Sequence, residues 1–129
     1  MSWFRFSSLV FAIWAVVFVL VPGFTNTFAT VIHVTSPESE DWTRLAGLLS
    51  LGFAVLLFRA HDAEPKAQRL VAQGVLAATL PCALLMTWWQ IGASRRWIRL
   101  DLVNVMLLYL ISYGMFEVNQ TRARLEPKK

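Results

Sequence analysis

Four long stretches without charge, parted by short charged joints, organise this chain of 129 residues. Between Arg5 and Glu38 the one titratable side chain is His33, and Leu45–Phe58, Leu70–Ser94 and Leu102–Phe116 carry no charge. With its flanks, each stretch reaches the roughly 20 residues that a helix needs to cross a bilayer. Hydrocarbon offers no water to a stray N–H or C=O, so a chain arranged this way closes its backbone hydrogen bonds inside helices. The expected fold is therefore all-α, an integral membrane four-helix bundle in a single transmembrane domain, 1–129. Its spans run from about 4–24, 42–60, 67–91 and 97–118. Short joints make the order up-down-up-down. Composition agrees: 57% of residues are hydrophobic and 16% charged, with mean hydropathy +0.53, where soluble domains carry about 25% charge.

The joints are punctuated as membrane loops are. Pro22-Gly23 ends the first span, Ser36-Pro37-Glu38-Ser39 precedes the second, and Pro65 opens the third. Either Ser36 or Ser39 is placed to cap the helix running into Trp42, and Asn26–Val34 is short and apolar enough to lie along the membrane surface. Arg5 followed by Leu9–Val21 has the charged start and apolar centre of a secretory signal. Its exit, Pro22-Gly23-Phe24-Thr25-Asn26, leads to Phe28-Ala29-Thr30 rather than to a small-x-small pair, so it reads as a retained first span. Cys82, the single cysteine, falls mid-span and reads as a small packing residue.

Lysine and arginine set the orientation. With the N-terminus inside, eight of them are internal (Arg5, Arg59, Lys66, Arg69, Arg122, Arg124, Lys128, Lys129) and four external (Arg44, Arg95, Arg96, Arg99). Both termini are thus expected in the cytoplasm. Tryptophan repeats the pattern: Trp42, Trp88, Trp89 and Trp97 mark outer ends and Trp3 an inner end, while Trp14 lies mid-span, where its indole N–H needs a partner. The net charge of +4 sits beside the spans and suits anionic headgroups better than nucleic acid.

The most pointed polar pair is Arg44 with Asp101, each just inside the outer boundary of its span. A mutual pair lowers the cost of charge at that depth, as a clasp between helices or as the floor of a ligand site. Steps of three and four from Asp101 place Asn104, Leu108, Ser112 and Met115 on one face of the fourth span, which is expected to point inward; Leu110 and Tyr113 fall nearly opposite. A ligand site would be lined by Trp14, Gln73, Arg44, Asp101 and Asn104. Three arginines, Arg95, Arg96 and Arg99, crowd an outer hairpin, where Glu38, Glu40 and Asp41 or lipid phosphates would answer them.

Small residues recur every fourth position at Ala46, Ser50 and Ala54 and at Gly74, Ala78 and Cys82, stripes that would let the second and third spans pack closely. Pro81 removes a backbone donor mid-span and implies a kink. His33 and His61 lie outside the spans, so no histidine pair clamps a haem across the bundle; His33 alone is a candidate ligand for a metal-centred pigment, and otherwise a surface histidine. Neither HExxH, Cys-x-x-Cys nor a glycine-rich phosphate loop occurs. The reading leans against intrinsic catalysis and calls for no metal or cofactor beyond a bound lipid or quinone.

Arg44-Leu-Ala-Gly-Leu-Leu-Ser-Leu-Gly52, set in four spans of this total length, resembles small bacterial four-helix membrane proteins of the DoxX-like kind. That resemblance implies a bacterial cytoplasmic membrane and an association with quinone-dependent oxidoreductases. The expected function is an accessory or scaffold subunit that binds other membrane proteins, a further copy of itself, or lipids. A quinone- or lipid-binding protein is the alternative, and a small oligomeric transporter a second one.

Overall fold

A computed structural model of the protein describes residues 2–21, 37–92 and 99–125. Four helices make up nearly all of this: α1 (Trp3–Leu20), α2 (Pro37–Ala60), α3 (Pro65–Gly92) and α4 (Arg99–Leu125). No strand occurs among the described residues. Each helix contains a stretch long and apolar enough to cross a membrane: Trp3–Leu20, Thr43–Ala60, Pro65–Trp88 and Leu102–Arg124.

Local chemistry explains where the helices start and stop. Proline opens both α2 and α3, where a missing N–H is no loss because the first-turn donors have no partner within the helix. Arg59 closes α2, and Arg122 and Arg124 close α4, each favourable against the negative end of a helix dipole. Between α2 and α3 the turn is held by Asp62 N–H on the Arg59 carbonyl at 3.4 Å and Ala63 N–H on the Ala60 carbonyl at 3.2 Å. Helix α3 runs unbroken through Pro81. Residues 22–36 and 93–98, which hold His33, Arg95, Arg96 and the expected Ser36 cap, lie outside the described residues.

The chain forms two compact units, Arg5–Phe58 and Met1–Phe4 with Arg59–Lys129, so the first turn of α1 belongs with α3 and α4. In the first unit α1 and α2 are antiparallel. Ser8 Oγ donates to the Ala54 carbonyl at 2.8 Å near one end, and Gly47 approaches Phe18 and Val19 near the other. A Cβ on Gly47 would lie 2.8 Å from Val19 Cγ2 and 3.2 Å from the Val19 backbone nitrogen, so only glycine allows this approach. Phe11 stacks on Phe53 with ring centroids 5.3 Å apart and meets Trp14 edge-on at 5.4 Å.

The second unit is built on an antiparallel α3–α4 pair. On α3 the buried residues are Gln68, Ala72, Val75, Thr79 and Ala83; on α4 they include Val105, Leu108, Ile111, Ser112 and Met115. Both sets step by three and four, one face of a helix. Hydroxyls tie the seam. Thr79 and Ser112 meet at 2.8 Å, and each also reaches the carbonyl four residues back in its own helix, Val75 and Leu108. Two hydroxyl protons serve three contacts, so one hydroxyl donates across the seam or both donate to their own helices. Thr87 donates to the Ala83 carbonyl, which leaves the Tyr109 hydroxyl to donate to Thr87 at 3.1 Å.

The inward face expected on α4 is the one observed, with Leu108, Ser112 and Met115 buried and Asn104 half-buried, whereas Tyr113 and Leu110 are exposed. The small-residue stripe on α3 lies elsewhere than its seam with α4. Gly74 and Cys82 are exposed, and a Cβ on Gly74 would meet nothing within 4 Å. Ala72, Val75, Thr79 and Ala83 make the α3 side of the seam with α4.

Candidate functional site

Polar side chains converge where the second unit brings together the start of α1, the α2–α3 turn, the first turn of α3 and the last turns of α4. The convergence begins with Trp3. Its indole lies over Gly114, the position on α4 where any side chain would occupy the ring's space. Its Nε1–H donates to Glu117 Oε2 at 2.8 Å, and its ring meets Tyr113 edge-on at 6.1 Å. One residue earlier, Ser2 Oγ lies 3.0 Å from His61 Nδ1. His61 Nε2 faces Asp62 Oδ1 at 3.8 Å, beyond hydrogen-bond range, and Asp62 is exposed, so this carboxylate does not fix the imidazole tautomer.

Gln68 completes the wall. Its Nε2 donates to the His61 carbonyl at 2.8 Å, which settles the orientation of the amide, since a flipped group would set oxygen against oxygen. The other atom, Oε1, is buried and has no partner, although the residue is only 5% exposed. Around these groups lies a cleft of about 280 Å³, lined on the polar side by Ser2, His61, Gln68, Glu117, Thr121 and Arg122. Trp3, Phe4 and Val118 supply its apolar side. Charge is mixed, since exposed Glu117 and half-buried Arg122 both line it.

The residues singled out from sequence are distributed differently. Arg44 is exposed on α2, and Trp14 is half-buried against Phe11 in the same unit. Asn104 is half-buried on α4. Gln73 is exposed on α3, and its Nε2 donates to Asn119 Oδ1 at 3.1 Å; the same oxygen accepts Arg69 Nε at 3.3 Å. Asn119 lies fifteen residues beyond Asn104, about 22 Å along the helix. Gln73 and Asn104 therefore do not share a site. Asp101 and Arg99 belong to α4, but their side chains lie outside the described residues, as do Arg95, Arg96 and His33.

Nothing in the sequence reading picked out Ser2, His61, Gln68, Glu117 or Arg122 as a group. The available signal was Gln68, an amide only three residues into an apolar helix, together with Trp3 at the same boundary. Among the described residues, no three His, Cys, Asp or Glu side chains are grouped to hold a metal ion. Comparison with protein-family models, curated proteins and solved structures gives no match for this chain.

Proposed function

We propose that the chain is an integral membrane protein whose work is association: an accessory or scaffold subunit that holds other membrane proteins or lipids and performs no chemistry itself. One observation supports this reading above the rest. Few residues of the apolar helices are buried in their own chain: 33% of the most apolar 18 residues of α1, 28% of those of α2, 22% of those of α3 and 28% of those of α4. Leu48, Leu49, Val55 and Phe58 on α2 and Leu84, Leu85 and Trp88 on α3 are exposed, large and apolar. Water would penalise such faces, whereas acyl chains or apolar helices of a partner accept them.

On this reading both termini and the α2–α3 turn lie in the cytoplasm, where Arg59, Lys66, Arg69, Arg122 and Arg124 meet anionic headgroups. The resemblance to DoxX-like proteins adds an oxidoreductase as the partner class and a bacterial cytoplasmic membrane as the setting. The test is purification of the native protein in mild detergent, with subunits and small molecules quantified. Stoichiometric larger membrane subunits are expected. A monodisperse chain that stays in solution without detergent would overturn the proposal.

A further inference from the structure

Beside its seam with α4, helix α3 carries a second ordered row of side chains that its own chain leaves bare. Gln73, Leu80 and Leu84 each follow a seam residue, Ala72, Thr79 and Ala83, by one position, about 100° round the helix. With Leu70, Ala77 and Ile91 they form one exposed row. From Leu70 to Leu84 its steps are three, four, three and four residues, and Ile91 repeats Leu84 seven residues on. That is the 3.5-residue repeat by which one helix packs along another in a left-handed crossing. Acyl chains impose no such spacing on the residues they meet.

The row holds one polar side chain, and that side chain selects the occupant. Gln73 lies eight residues beyond Pro65, about 12 Å into the α3 span. On the membrane reading above, on which this inference rests, an unserved amide is costly there. Arg69 Nε and Gln73 Nε2 both donate to Asn119 Oδ1, at 3.3 and 3.1 Å, which fixes the orientation of both amides. The Asn119 Nδ2 group, a donor, and Gln73 Oε1, an acceptor, make no hydrogen bond among the described residues. A lipid phosphate accepts but does not donate, so it leaves Gln73 Oε1 unserved. A second copy inserted in the same sense is related to the first by a two-fold axis along the membrane normal. That axis sets α3 parallel to its equivalent and brings Gln73 and Asn119 back at the same depth. Such a copy offers the missing donor and the missing acceptor together, and one amide in an apolar heptad row is a known means of holding two helices in register. We infer that the chain self-associates through this row of α3 as a parallel pair, with the Gln73 and Asn119 amides bonding reciprocally across the axis.

The experiment places single cysteines in the full chain, on a Cys82→Ser background, and cross-links the protein in its membrane by mild oxidation. Leu84→Cys is expected to form a disulfide-linked dimer about tenfold faster than Leu85→Cys, which is exposed on a different face. Energy transfer between labelled copies in vesicles of increasing lipid dilution gives the association constant. It falls about tenfold in Gln73→Leu, which removes the reciprocal amide bonds. Ala77→Trp adds bulk at an exposed position of the single chain; it is expected to abolish association with helicity retained, and it decides the matter if Gln73→Leu unfolds. A parent chain that stays monomeric, whether bare or carrying lipid or a different protein, overturns the inference. So does equal cross-linking at positions 84 and 85, or undiminished association in Gln73→Leu or Ala77→Trp. Alkaline extraction is run in parallel: a chain that stays in the membrane and fails to pair refutes the pairing alone, whereas a chain released into solution refutes the membrane reading and the pairing with it.

Discussion

Ser7 and Ser8 are neighbours on α1 with opposite environments. Both are buried, but Ser8 Oγ donates to the Ala54 carbonyl at 2.8 Å whereas Ser7 Oγ has no partner. A buried hydroxyl without a partner costs free energy, and one that bonds across helices returns a modest amount. Ser7→Ala is therefore expected to leave the protein as stable as before or more stable by up to about 1 kcal/mol, and Ser8→Ala to destabilise it by about 0.5–1 kcal/mol. Unfolding of each variant in detergent, followed by circular dichroism, checks the pair. A larger loss from Ser7→Ala than from Ser8→Ala would refute the assignment. Glu117 adds a second residue-level outcome. Glu117→Ala removes the acceptor of the Trp3 indole, so tryptophan fluorescence from the start of α1 should shift as that ring loses its hold, with helicity unchanged.

At the scale of the helix, the glycines divide by what faces them. A Cβ at Gly47 would press on Phe18 and Val19, and one at Gly114 on the Trp3 indole; at Gly52 and Gly74 it would meet nothing within 4 Å. Gly52→Ala and Gly74→Ala should be neutral or gain up to about 1 kcal/mol of helix propensity. Gly47→Ala and Gly114→Ala should lose about 1–3 kcal/mol, since a packed neighbour has to move. Parallel thermal denaturation of the four variants tests this, and equal effects at all four would show that α1 does not approach α2 or α4 as described. The same reasoning applies to α3: Ala72 is fully buried and Gly74 exposed, so Ala72→Leu is expected to disrupt the α3–α4 pair where Gly74→Leu does not. The stripe Gly74, Ala78 and Cys82, expected to face the second span, lies off the α3–α4 seam. Small size is a property of a residue, but which face meets a neighbour depends on the rotation of the whole helix, and about 100° per residue separates one choice from the next.

For the molecule as a whole, the orientation proposed from lysine and arginine makes the α2–α3 turn the decisive cytoplasmic segment. Replacing Arg59, Lys66 and Arg69 together by glutamine leaves inner and outer charges nearly balanced, and reporters fused to either terminus should then show mixed topology where the parent shows both ends inside. Opposed termini in the parent chain would refute the orientation. That the described residues form four helices long and apolar enough to cross a membrane is legible in the sequence because it depends on local quantities, the length and hydropathy of each charge-free stretch. The inward face of α4 was equally readable, since the positions Leu108, Ser112 and Met115 follow from helical periodicity. The cleft was not. Trp3 and Glu117 are separated by 114 positions, and Ser2, His61, Gln68 and Arg122 come from four different segments of the chain. Sequence by itself determined the helical and apolar character of the four described segments, because those depend on neighbours along the chain; the tertiary structure alone decided which helix ends meet, and so brought Ser2, Trp3, Gln68 and Glu117 around one cleft.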